Sequence, residues 1–126
     1  MKYTYNPDKK KSARAYGRGL RISTQSSVVV CRAISGMRLD KGKSFLEDLL
    51  EQKRNISGKY YSNATQQILN VIKSAEVNAE SLGLDTENLH IHATAHKGFT
   101  FFRPRGWKRR REQAKVTNIQ VVLEAR

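Results

Sequence analysis

Residues 97–115, KGFTFFRPRGWKRRREQAK, hold eight Lys or Arg against one acid, Glu112, with Phe99, Phe101, Phe102 and Trp107 set among them. Charges at this density repel one another until a polyanion neutralises them, and flat rings between them can stack on bases or fill gaps in folded RNA. Arg suits that task because its planar fork grips phosphate in bidentate fashion and lies flat on a base. The candidate RNA ligands here are Lys97, Arg103, Arg105, Lys108, Arg109, Arg110, Arg111 and Lys115, with Trp107 either a stacking platform or a brace for the arm. Pro104 and the strand-like segments on both sides argue against a merely solvated loop. A second basic group, Lys9, Lys10, Lys11, Arg14, Arg18 and Arg21, reads as another phosphate-contacting surface rather than a solubilising tail. Contacts of this kind release counterions and make binding strongly salt-dependent.

Other chemistries find less support. His90, His92 and His96 share one face of a strand, and the first two have the spacing of paired metal ligands. A metal site would need further donors, and Cys31 has no sequence reason to meet them. His92-Ala93-Thr94 is half of a paired His-x-Thr phosphoesterase motif, present once where two copies are needed. These histidines read instead as groups that stack on or hydrogen-bond to RNA, or that face solvent. Glu47, Asp48 and Glu51 occupy the outer face of an amphipathic helix, where acids normally meet water. Phosphate-cradling glycine loops, nucleophile elbows and dinucleotide fingerprints are absent from the sequence, so neither catalysis nor a cofactor is expected.

The elements that must position the arm are legible from hydrophobic period. Leu89, Ile91, Ala93 and Ala95 alternate with His90, His92, Thr94 and His96, and Ile119, Val121 and Leu123 alternate likewise. Both patterns suit a strand with one buried face. Two such strands joined by residues 98–116 make a long hairpin, whose legs at ~3.3 Å per residue reach roughly 30 Å from the body. Residues 16–22 form a further strand candidate, weakened by Gly17 and Gly19. Ser23, Thr24 or Ser26 can cap a helix that runs through residues 28–34 to Gly36, with Val30, Cys31 and Ile34 inward. Val28, Val29 and Val30 would serve a strand equally well. Asp40 is the N-cap candidate of a second helix with a Phe45, Leu46, Leu49, Leu50 stripe, and Gly58 breaks the chain after it. The longest helix starts at Ser62 or Asn63, repeats Ala64, Ile68, Val71, Ile72, Ala75 and Ala79, and stops at Gly83. Asn78 within it has a packing or a hydrogen-bonding role.

Charge is distributed unevenly over this plan. The 126 residues carry a net +13, yet residues 37–87 hold seven basic and eight acidic groups. A near-neutral body with basic appendages fits a nucleic-acid partner. One domain is expected, with a basic leader over residues 1–14, a body over 15–96 and 117–126, and the arm over 97–116. The lone Cys31 excludes an internal disulfide and reads as a small buried hydrophobe, in keeping with a reducing setting. The N-terminus lacks the apolar core of a signal peptide, and no stretch approaches the roughly 20 apolar residues of a membrane span, so a cytoplasmic protein is expected.

Taken in order, several stretches resemble one family, the universal large-subunit ribosomal protein numbered twenty-two (seventeen in the eukaryotic scheme). They are Arg21-Ile22-Ser23, the run Ser74-Ala75-Glu76-Val77-Asn78-Ala79-Glu80 with Gly83-Leu84-Asp85, Phe102-Arg103-Pro104-Arg105, and the closing segment 117–123. The opening KYTYNP and Ala15-Tyr16-Gly17-Arg18 are similar to the archaeal and eukaryotic branch. The resemblance implies an α+β fold with three helices packed on a small three-stranded antiparallel sheet and a long basic β-hairpin. It also implies a structural constituent of the large ribosomal subunit that binds ribosomal RNA beside neighbouring ribosomal proteins. Its hairpin tip, Gly106, Trp107, Lys108, Arg109, Arg110 and Arg111, would line the nascent-peptide exit tunnel. A free-standing RNA- or DNA-binding regulator is the alternative reading. Three departures stand out. Thr24-Gln25-Ser26-Ser27-Val28 replaces a basic stretch after Arg-Ile-Ser, leaving Arg32 as the nearest cation there; Lys108-Arg109-Arg110-Arg111 replaces a Gly-Arg-Ala-Thr tip; and the connection over 52–61 is short.

Overall fold

In the computed structural model, which describes residues 3–100, 102 and 112–126, three strands form one antiparallel sheet. They are β1 (Ser12–Leu20), β2 (Leu89–Lys97) and β3 (Thr117–Ala125), in the order β1-β3-β2. Helices α1 (Thr24–Ile34), α2 (Leu39–Leu50) and α3 (Ser62–Ser81) pack against one face, which makes the expected α+β architecture. The period-two residues point as read: Leu89 and Ile91 of β2 and Ile119, Val121 and Leu123 of β3 are fully buried. They meet Ile34, Leu46, Leu49, Ile68 and Ile72 from the helices, with Ala13 and Ala15 of β1 completing the layer. Burial decides the conformation of the valine run. Each buried Ile or Val contributes about 1.5–3 kcal/mol, against at most about 0.7 kcal/mol of unfavourable helix propensity per residue. The helical spacing that buries Val30, Cys31 and Ile34 therefore wins, and the run lies in α1.

Helix ends follow local chemistry, with one correction. Ser23 caps α1, its hydroxyl accepting from the Ser26 amide at 3.4 Å. Gly83, at φ +74, closes α3: its amide donates to Glu80 and that of Leu84 donates to Ala79, the paired bonds of a glycine-terminated helix. Asp40, however, is not the cap of α2; the helix starts at Leu39 with Arg38 before it. Arg38 is held extended because it bridges to His90 of β2, so the chain turns helical directly from that contact. Asp40 sits instead in the first turn, where a carboxylate complements the positive helix end.

The first strand is also displaced from its expected place. It begins at Ser12, inside the segment read as leader, and ends at Leu20, so residues 21 and 22 lie outside it. Ala13 and Ala15 supply the buried side of the alternation, and alanine is a weak strand signal. An irregularity between Gly17 and Leu20 re-aims the end of β1, with Gly19 at φ +68 donating its amide to the Asn118 side chain at 2.9 Å.

Residues 3–5 cross the outer face of the sheet. The Thr4 amide and hydroxyl both reach the Gln120 side-chain oxygen, at 3.1 and 2.9 Å. Tyr5 stacks on His92 with ring centroids 3.9 Å apart, and its hydroxyl donates to Glu124 at 2.7 Å. Under this strap Gln120 and Val122 are only 7% and 2% exposed, so β3 is buried on both faces. Asn78 turns out to tie α3 to β1, its side-chain amide donating to the Arg14 carbonyl at 2.8 Å.

Candidate nucleic-acid interface

Antiparallel pairing fixes the base of the arm. The register runs from Leu89 opposite Ala125 to Lys97 opposite Thr117. It continues through the Gly98 amide on the Val116 carbonyl, at 2.9 Å, to a bridge between Phe102 and Gln113. A side chain on Gly98 would collide with Val116, so glycine lets the two legs close together there. The two legs thus leave the sheet paired, as the alternation predicts. The tip residues Arg103, Arg105, Gly106, Trp107, Lys108, Arg109, Arg110 and Arg111 lie outside the described residues.

Some cations of the body are paired with acids, and the described ones of the leader and of the base of the arm are not. In the body Lys43 bonds Glu76 at 2.8 Å, tying α2 to α3, while Lys53 pairs with Glu51 and Arg54 with Asp48. Among the described residues Lys9, Lys10, Lys11, Arg18, Arg32, Lys97 and Lys115 form no ion pair, and all seven are exposed. Unpaired, hydrated cations are what a phosphate backbone can recruit at little cost. Arg14 is half-buried, its guanidinium 5.1 Å from the centre of the Tyr3 ring.

The remaining positions sort by cleft. Lys9 and Arg14 border a hollow of about 470 Å³ that Asn78 and the exposed Leu82 also line. Arg21 and Lys115 line a cleft of about 350 Å³ where the starts of α1 and α3 converge. Lys97 and Lys115 line another, of about 330 Å³, together with Phe99. Arg32 lines none of these three; it stands in the last turn of α1, where a cation complements the negative helix end.

The histidines have protein neighbours that the sequence did not indicate. They share the outer face of β2, and the N-terminal strap meets two of them: His92 lies under Tyr5, and His96 Nε2 is 3.2 Å from the Thr4 hydroxyl. The Nδ1 of His90 is buried without a hydrogen-bond partner. Among the described residues no group of three or more His, Cys, Asp or Glu comes together to hold a metal. None of the described helices is long and apolar enough to cross a membrane. Sequence reasoning missed the strap, whose signal was the Tyr3-Thr4-Tyr5 alternation ahead of the lysine run. It also missed the two clefts beside Ser23, which join residues far apart in the chain.

Comparison with known proteins agrees with this arrangement. A family model described as "Ribosomal protein L22p/L17e" matches residues 15–124. The large ribosomal subunit protein uL22 of Methanococcus aeolicus is 36% identical, over 98% of this chain and 96% of the relative. That of Methanococcus maripaludis is 38% identical over the same shares, and that of Archaeoglobus fulgidus is 35% identical over 100% and 97%. These relatives are archaeal, the branch that the opening residues resemble. The Methanococcus alignments extend over 147 positions against 126 residues here, so this chain lacks at least 21 positions of that alignment. The chain belongs to the ribosomal protein L22p/L17e family.

Proposed function

We propose that this protein is a structural constituent of the large ribosomal subunit, in which it binds ribosomal RNA and extends its arm to the nascent-peptide exit tunnel. The carrying observation is the match along nearly the whole chain to proteins named for that subunit. Its role is structural rather than catalytic, and as part of the ribosome it works in the cytoplasm. The body docks at the RNA surface, and the cations of residues 9–21 and of the arm neutralise phosphates where RNA segments converge. Arg103, Arg105 and residues 106–111 carry the charge farthest along the chain from the sheet and are the segment assigned to the tunnel wall. Neighbouring ribosomal proteins and the passing nascent polypeptide complete the partners.

Sedimentation of a cell extract tests the assignment. The tagged chain is expected to travel with large subunits and to stay with them through a salt wash. A chain found only in the free fraction, or on RNA outside the ribosome, would replace this reading with that of a free-standing nucleic-acid-binding regulator.

A further inference from the structure

The clefts on either side of the α1 start adjoin, with Ser23 and Lys115 lining both. One holds Arg21, Lys115, Ser62 and Asn63 around the starts of two helices, α1 and α3, neither of which carries an acid in its first turn. Among the described residues no Asp or Glu lines either cleft. The other is walled by Phe99, which is 56% exposed, with Gln25, Thr100 and Gln113 near it. Behind the Phe99 ring stands Gly19: a Cβ there would come within 2.9 Å of the ring, so the bare backbone makes its seat. The surface thus offers, side by side, a positive hollow with polar hydroxyl and amide groups and an exposed aromatic ring with amide side chains around it.

We propose that this double cleft receives one unpaired RNA nucleotide, its phosphate between Arg21 and Lys115 and its base against Phe99. The inference rests on the RNA-binding reading above and deepens it by naming the form of RNA recognised. Volumes of about 350 and 330 Å³ suit a small ligand rather than a helix, since ligand clefts start at about 300 Å³. Within an A-form duplex every base face is covered by its neighbours, so only a splayed nucleotide can offer a face to Phe99. Gln25 and Gln113 each bring a donor and an acceptor that can meet a base edge. A phosphate placed beside Lys115 and Arg21 also gains from the unsatisfied amides of two helix starts.

Binding of the full chain to a short fluorescent single-stranded oligoadenylate and to a blunt RNA duplex with equal phosphates tests this. Phe99→Leu is expected to weaken the single-strand complex about tenfold, since stacking contributes about 1–3 kcal/mol per base, and to leave the duplex complex unchanged. Phe99→Tyr should restore the single-strand affinity, and Lys115→Gln should weaken it as well. Thermal unfolding of each variant confirms that it is folded. Single-strand affinity that survives Phe99→Leu, or that falls in step with duplex affinity, overturns the nucleotide site while leaving RNA binding intact. A parent chain that binds neither RNA overturns the RNA-binding reading itself. Retained RNA affinity with lost affinity for polyglutamate would assign the cleft to an acidic protein neighbour.

Discussion

Cys31 shows how position decides the chemistry of a single side chain. It lies in α1 at 2% exposure among Val30, Ile34 and the strands, and burial pushes its thiol from 9.0 up to about 12. A thiolate is the reactive species, so the folded protein should resist alkylation at pH 8 and react only as fast as it unfolds. The same shift makes stability depend on pH. The folded value lies above the unfolded one, so the contribution is fully present below about pH 9 and is lost as pH rises towards about 12. Thermal midpoints measured from pH 8 to pH 11 should therefore fall more steeply for the parent than for Cys31→Ala. Parallel curves, or rapid labelling of the folded chain, would show that the thiol meets water. Its buried, apolar role was legible in the sequence because its neighbours at helical spacing are apolar too. The role of His92 was not, because its partner Tyr5 is 87 positions away and belongs to a segment whose lysines suggested solvent.

Among elements, the strap formed by residues 3–5 determines how the sheet is buried. Without it, β3 would have one dry face, as the alternation of Ile119, Val121 and Leu123 suggests; with it, Val122 and Gln120 are enclosed as well. The hold on Tyr5 depends on its phenol staying protonated. Donation to Glu124, with burial and the carboxylate's charge adding to it, raises its pKa above 10.0. The folded value again exceeds the unfolded one, so the strap is fully held below about pH 10 and loosens as pH rises through the raised value. Deleting residues 1–7 should lower the unfolding free energy by on the order of 2 kcal/mol, about what re-exposing Val122 costs, with the three helices kept. Chemical denaturation followed by circular dichroism measures this, and an unchanged midpoint would mean that the strap merely rests on the sheet. Periodic elements were otherwise readable: α3, β2 and β3 announce themselves by period, and Gly83 by its conformational freedom. The start of β1 was hidden because Ala13 and Ala15 carry little strand preference, and the cap of α2 because Arg38 is fixed by His90, 52 residues later in the chain.

For the whole molecule, the division between body and appendages rests on charge bookkeeping that the structure makes spatial. Lys43, Lys53 and Arg54 of the body are matched by acids within 3.3 Å, while Lys41, Lys59 and Lys73 of the body stand in water as Lys9, Lys10, Lys11, Lys97 and Lys115 do, so the contrast lies in the density of cations rather than in their pairing. The uneven spread of charge was legible from sequence alone, because residues 37–87 nearly balance while residues 9–21 and 97–115 do not. The cleft behind Phe99 escaped notice because it is assembled from α1, the end of β2 and the returning leg of the arm. If the cations at the arm's far end neutralise phosphates, they should contribute to the salt dependence of binding. Each contact removed lowers the slope of log affinity against log salt by about 0.7–0.9. Replacing Arg109, Arg110 and Arg111 together by Ala should therefore reduce the slope for RNA by about 2–3 while the thermal midpoint stays put. The same variant should enter large subunits poorly, because the phosphates it leaves bare repel one another where RNA segments converge. An unchanged slope with normal incorporation would strip the arm's end of its electrostatic role.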